Sequence, residues 1–229
     1  MTRRLVSDPR PAVPAARAVY VAALNRHATI AALGDALLRE PYRTPPRAPV
    51  LHLKPANTWI GPGDPIPCPR DVPALRMGGT LGLVIGRRAS RVAEGRALEY
   101  VGGWLVANDV SIPYESHYRP AIKQRCRDGF CPIGAVVDAA ALTEPDRAEV
   151  VIEINGRIEC RAAGSGLVRG AARLLAEVST FITFEPGDLL LVGEPDRPPL
   201  AGPGDTVRII IANVGTLESP IRWDHEAAR

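Results

Sequence analysis

Two stretches, residues 80–85 and 103–110, are almost unbroken runs of apolar residues where a half-exposed strand would alternate. A strand with no polar face has to be covered on both sides, so both runs are expected deep inside the fold. The second run stops at Asn108-Asp109. That sets a carboxylate at the rim of a sheet, within reach of a hard divalent metal or a polar substrate. The same dipeptide also serves simply to end a strand by turn chemistry.

Around these runs the chain reads mostly as strands. Residues 50–53, 189–192 and 206–212 have strand character, and 94–101 fits a short helix. The segments 149–154 and 157–161 flank Asn155-Gly156, a dipeptide suited to the positive φ angles of a type I′ hairpin turn. Pro-Gly-Asp recurs at 62–64, 186–188 and 203–205, each time as a tight turn opening a strand. Helical spacing of Ile30, Leu33, Leu37 and Leu38 predicts a helix over 28–39, stopped by the prolines that follow. An amphipathic period predicts another over 167–181. Residues 1–18, rich in Pro, Ala and Arg, read as a loose arm. The expected division is an arm and small lobe over 1–62 and a core domain over 63–229. The fold class is α+β, mostly β.

With 46% hydrophobic and 23% charged residues the chain is of globular composition, and no apolar run reaches the roughly 20 residues of a membrane span. The amino terminus has no apolar stretch of the kind a signal peptide carries, so the expected location is the cytoplasm. Cys68, Cys126, Cys131 and Cys160 form no CxxC pair and are expected as free thiols. Net charge is only +3, and although 28 residues are basic with Lys54 and Lys123 the only lysines, the arginines are dispersed. That argues against nucleic acid. Guanidinium forks do suit carboxylates, so a diacid would find partners. The chain has no GxGxxG, Walker or GxSxG pattern, and Gly164-Ser165-Gly166 reads as a helix-entry loop.

Several segments in order resemble one family. Val50-Leu51-His52-Leu53-Lys54-Pro55 leads to Ile60-Gly61-Pro62-Gly63-Asp64-Pro65-Ile66, then Leu81-Gly82-Leu83-Val84-Ile85-Gly86 and Ala107-Asn108-Asp109-Val110-Ser111. Asp128-Gly129-Phe130-Cys131-Pro132-Ile133-Gly134, Glu185-Pro186-Gly187-Asp188 and Val214-Gly215-Thr216-Leu217 follow. From about Val19 to Pro220 the chain is similar to the fumarylacetoacetate hydrolase family. The resemblance implies a rolled β-sandwich core around the active site, preceded by a small N-terminal α/β lobe.

It also implies a divalent cation, Mg²⁺ or Mn²⁺, held by a Glu-x-Glu pair and by the aspartate of Asn-Asp. Here Gly78 and Thr80 stand where the glutamates would be, which leaves Asp109 as the one retained ligand. Arg125 replaces a family lysine, with Lys123 two residues earlier, and Glu194 replaces a substrate-contacting threonine. His27 resembles a histidine that serves some members as general base. The resemblance thus nominates Asp109, His27, Lys123 and Arg125 as catalytic, and Lys54, Arg119, Ser165 and Glu194 as substrate-binding.

The block Tyr114–Arg119, Pro120-Ala121-Ile122-Lys123 and Cys126-Arg127-Asp128 resembles one subgroup of the family. Its members are isomerase/decarboxylases of 4-hydroxyphenylacetate breakdown acting on unsaturated 2-oxo-dioates, in some bacteria as one chain of two homologous halves. The expectation is a first-half subunit, pairing as a homodimer or with a homologous second half. A catalytically silent partner of a metal-bearing homologue, or a hydrolase of another C–C bond, are the alternatives.

Overall fold

The strand Gly79–Ile85 pairs antiparallel with Val101–Asn108, with Gly79 opposite Asn108 and Ile85 opposite Val101, in a computed structural model that describes residues 16–114 and 116–224. These two strands lie inside a six-stranded sheet ordered Val50–Leu53, Val19–Ala23, Leu189–Leu191, Gly79–Ile85, Val101–Asn108, Val137–Asp138. All its pairings are antiparallel except Val19–Ala23 with Leu189–Leu191. Both faces are covered, as the unbroken apolar runs require. Leu81, Leu83, Trp104, Val106 and Leu190 enter the main core, while Leu105, Ala107, Leu189, Leu191, Val19 and Val21 form a second cluster with Cys131 and Ile133. Trp104 is 1% exposed and satisfies its indole N–H on Ala139 O at 3.0 Å.

The opposing layer is a five-stranded sheet ordered Arg157–Ala163, Glu149–Ile154, Thr206–Ile211, Gly215–Trp223, Ile66–Cys68. It alternates, turning Val150, Ile152, Val207, Ile209, Ile211 and Leu217 into the main core. The layers meet closely: a Cβ at Gly79 would lie 3.0 Å from side-chain atoms of both Ile152 and Ile209. This is the α+β, mostly β, two-sheet architecture read from the sequence. Residues before 63 supply the strands Val19–Ala23 and Val50–Leu53 to the larger sheet, so backbone pairing runs across the boundary drawn at 62. The arm falls largely outside the described residues.

Turn chemistry follows the sequence. Asn155 and Gly156 take φ of +53° and +77° in the hairpin. In each Pro-Gly-Asp, the aspartate Oδ2 accepts from the backbone N–H three residues back at 2.8 Å: Gly61 for Asp64, Glu185 for Asp188 and Gly202 for Asp205. Each acid therefore ties its own turn before a strand begins.

Three helical expectations are corrected. Residues 28–39 do not form one helix: His27–Leu33 is α-helical, Gly34–Leu38 is a 3-10 turn, and only Leu37 is buried. The helix expected over 167–181 is confined to Ala171–Val178. Tertiary hydrogen bonds hold residues 168 and 169 in bends outside the helix, from Val168 N to Asn25 O at 2.9 Å and from Arg169 N to Asn25 Oδ1 at 3.0 Å. Gly164–Gly166 is accordingly a separate 3-10 turn that opens no helix, and the segment Glu94–Tyr100 is also 3-10. No helix among the described residues is long and apolar enough to cross a membrane.

Candidate active site

Asp109 follows directly on the strand Val101–Asn108, with its amide bonded to Gly78 O at 3.0 Å. The two segments touch there: a Cβ at Gly78 would lie 2.5 Å from the Asp109 carbonyl oxygen. Only glycine permits that approach. Lys54 arrives from the end of the strand Val50–Leu53. Its Nζ lies 2.9 Å from Asp109 Oδ1 and donates to the carbonyls of Val110, Arg125 and Phe130 at 2.7, 2.8 and 2.9 Å. One ammonium thus gathers three loops around the carboxylate.

Arg125 comes from the single turn of helix Ile122–Arg125 and is buried. Its Nη1 donates to Asp109 Oδ2, its Nη2 to Glu194 Oε1 at 2.7 Å, and its Nε to the Tyr114 hydroxyl at 2.7 Å. His52 Nε2 lies 3.2 Å from Asp109 Oδ2 and 3.1 Å from Arg125 Nη1. Arg76 Nη2 stands 3.6 Å from Glu194 Oε1. The guanidinium of Arg125 is therefore saturated by the chain's own groups, as a bidentate fork joining two carboxylates.

Burial pushes the Asp109 carboxyl up, but Arg125, Lys54 and His52 outweigh it and hold the group well below the usual carboxylate range. Burial likewise works against charge on Arg125, while Asp109 and Glu194 keep its pKa above the ordinary arginine value. Tyr114 is raised by burial first and by Glu194, so its hydroxyl stays protonated at neutral pH. His117 is lowered, by burial before all else, and stays neutral there. A pair this buried is costly to break: removing one partner leaves an uncompensated charge, at about 3–5 kcal/mol.

Two cavities border the cluster. A cavity of about 320 Å³ is lined by His52, Tyr114, His117, Arg119 and Arg125 together with apolar residues that include Leu51 and Ile122. A smaller one, about 90 Å³, is lined by Asn25, Thr29, Arg76, His117 and Glu194. His117 belongs to both.

Of the residues nominated from the sequence, the fold brings Asp109, Lys54, Arg125 and Glu194 together and puts Arg119 on the larger cavity. Lys123 is exposed on the same short helix, His27 is exposed at the first position of its helix, and Ser165 is exposed in its 3-10 turn. None of these three lines either cavity. Sequence reasoning missed His52, Tyr114, His117 and Arg76. One signal was available for His52: it sits two residues before Lys54, the spacing that turns side chains of an extended chain to one side.

The divalent cation implied by resemblance does not fit this donor set. Among the described residues no group of three or more His, Cys, Asp or Glu side chains is placed to hold a metal. Gly78 has no side chain and no room for one, and Thr80 Oγ1 is buried and accepts from Gly193 N at 3.2 Å. Both oxygens of Asp109 already face an ammonium or a guanidinium, which repel a metal ion.

Residues 18–222 match the fumarylacetoacetate (FAA) hydrolase C-terminal family. The chain belongs to the fumarylacetoacetate hydrolase family. It is 43% identical over 208 residues, 91% of its length, to the 4-hydroxyphenylacetate degradation bifunctional isomerase/decarboxylase of Escherichia coli, and covers 48% of that protein. The chain thus spans about half the length of the curated relatives it matches. Among solved structures, 5-carboxymethyl-2-hydroxymuconate delta-isomerase from Mycobacterium smegmatis superposes with a TM-score of 0.76 at 30% identity, covering 91% of this chain and 77% of that one. Fumarylpyruvate hydrolase from Pseudomonas aeruginosa, solved with Mn²⁺ and pyruvate, gives a TM-score of 0.76 at 22% identity, over 91% of this chain and 90% of that one. That last likeness speaks for the fold alone.

Proposed function

We propose that the chain is the subunit of an isomerase/decarboxylase acting on an unsaturated 2-oxo-dioate in 4-hydroxyphenylacetate catabolism. The observation that carries this reading is the cavity of about 320 Å³, where exposed Arg119, buried Arg125, Tyr114 and two histidines surround an apolar space. Its size suits a small ligand, and its mixture of cations and apolar wall suits a conjugated diacid. The relatives named isomerase and decarboxylase support the same reading.

In this proposal each group has a separate task. Loss of CO₂ sends the electron pair of the breaking C–C bond through the conjugated chain to the 2-oxo oxygen. Tyr114 accepts from Arg125 and keeps its own proton, so its O–H is free to donate to that oxygen. His117, neutral and shared by both cavities, removes and returns the carbon-bound proton of the 1,3-shift. Arg119 holds a substrate carboxylate. Asp109 and Lys54 position Arg125, and no step here passes through a metal ion.

Gly78 and Thr80, where a glutamate pair would stand, favour a second reading, a silent subunit completed by a metal-bearing homologue. In either reading the chain works in an assembly, a homodimer or a pair with its homologous second half. Four free thiols accord with a reducing cytoplasm. The two readings separate on one assay: decarboxylation of an unsaturated 2-oxo-dioate by the purified chain, followed by absorbance and CO₂ release, before and after adding the homologous half. Turnover by the chain alone is expected. Turnover only on mixing would transfer the activity to the partner.

A further inference from the structure

We infer that Tyr42 is a positioning residue of this site, its hydroxyl holding His117 against the two cavities it lines; the inference rests on the proton-transfer role given to His117 above. The loop that carries Tyr114, His117 and Arg119 has little structure of its own. Ile112 N donates to Gln124 O at 3.0 Å, and Ala121 O accepts from Gln124 N and Arg125 N at 3.2 and 2.9 Å. Between Pro113 and Pro120, however, no described residue makes a backbone-to-backbone hydrogen bond. One bond ties this stretch of backbone to a distant segment: His117 N donates to the Tyr42 hydroxyl at 2.8 Å. The same hydroxyl stands 3.5 Å from Ser116 Oγ, and the Tyr42 ring meets the Tyr118 ring edge to face at 6.1 Å. Three successive loop residues thus rest on one side chain.

Tyr42 can serve because its own segment is fixed. Arg43 N donates to Arg39 O at 2.9 Å, and the buried Arg169 donates through Nη2 to Arg47 O at 2.7 Å. On the loop side the imidazole of His117 lies edge-on to Tyr114, ring centroids 5.4 Å apart, and Arg125 holds the Tyr114 hydroxyl. The histidine is therefore placed twice, its backbone by Tyr42 and its ring by Tyr114. Proton transfer needs the base within hydrogen-bond reach of the carbon acid, and a shift of about 1 Å costs rate steeply. Removing the Tyr42 hydroxyl leaves the loop free to open locally.

The test compares Tyr42→Phe in the wild type and in His117→Gln, using turnover of an unsaturated 2-oxo-dioate by the full chain, with the homologous half added if the chain alone is silent. Losing one hydrogen bond should lower kcat/KM roughly three- to tenfold in the wild type. In the H117Q background, where no imidazole remains to be placed, Y42F should change it by less than about twofold. A merely stabilising tyrosine would cost the same factor in both, and that result overturns the inference. It is also overturned if Y42F is fully active while H117Q is crippled, which leaves the reading of His117 standing. Full activity of H117Q removes both. A second measurement needs no turnover: the His117 amide, followed by NMR, should exchange with solvent roughly tenfold faster in Y42F, with the amides of residues 103–108 unchanged. Equal exchange of that amide in the two proteins contradicts the proposal.

Discussion

Lys54 Nζ lies 2.9 Å from Asp109 Oδ1, with the two side chains 0% and 1% exposed. Neither charge has water to fall back on, so each depends on its protein partners, Asp109 on Lys54 and Arg125, Lys54 on Asp109 and three carbonyls. Asp109→Asn should cost about 3–5 kcal/mol in a denaturant titration, because it strands Lys54 and Arg125 as buried cations. A loss below about 1 kcal/mol would mean that water reaches the cluster.

The same pair sets an acid limb. The unfolded carboxyl titrates near its usual value of about 3.9, while the folded one stays ionised well below it. Between those values only the unfolded state takes up the proton, so stability falls as pH falls and is lost as the folded group titrates. Thermal melts of the wild type from pH 5 downward should show this loss, and D109N should show a shallower slope.

Arg125 and Lys123 share one turn of helix, yet one is buried among carboxylates and the other faces solvent. Arg125→Ala should lower kcat/KM by roughly 10²-fold or more, since it frees two carboxylates and the Tyr114 hydroxyl at once. Lys123→Ala should leave kcat/KM within about threefold. Equal effects from the two variants would contradict the placement of charge described here.

His117 acts as a base only when neutral, and burial lowers its pKa from the ordinary histidine value near 6.5. The acid limb of kcat/KM should therefore fall below about pH 6.5, and it should disappear in His117→Gln together with a roughly 10²-fold lower plateau. A limb that survives the substitution assigns the proton transfer elsewhere.

Much of the fold was legible because its signals are local. Unbroken apolar runs marked the twice-covered strands, Asn155-Gly156 marked the hairpin, and Pro-Gly-Asp marked turns whose aspartates bond three residues back. Helix limits were not legible: an apolar period runs over 167–181, but Asn25, far away in sequence, holds residues 168 and 169 in bends outside the helix. The site was legible in its charged centre, where Asp109, Arg125, Lys54 and Glu194 each stood in a matched loop. His27, Lys123 and Ser165 matched by sequence alone, and the chain folds them outward. Tyr114 and His117 lay in a block that matched the subgroup, but the match carried no role for either, and only their place on the cavities marks them.

Fixed guanidinium and ammonium groups, in place of a bound divalent ion, are the centre of this account, and treatment with chelator tests it most directly. The purified chain, stripped with EDTA and assayed on an unsaturated 2-oxo-dioate, should turn over at its untreated rate, with no divalent metal above background by elemental analysis. A rate that collapses with EDTA and returns on adding Mn²⁺ or Mg²⁺ would contradict it.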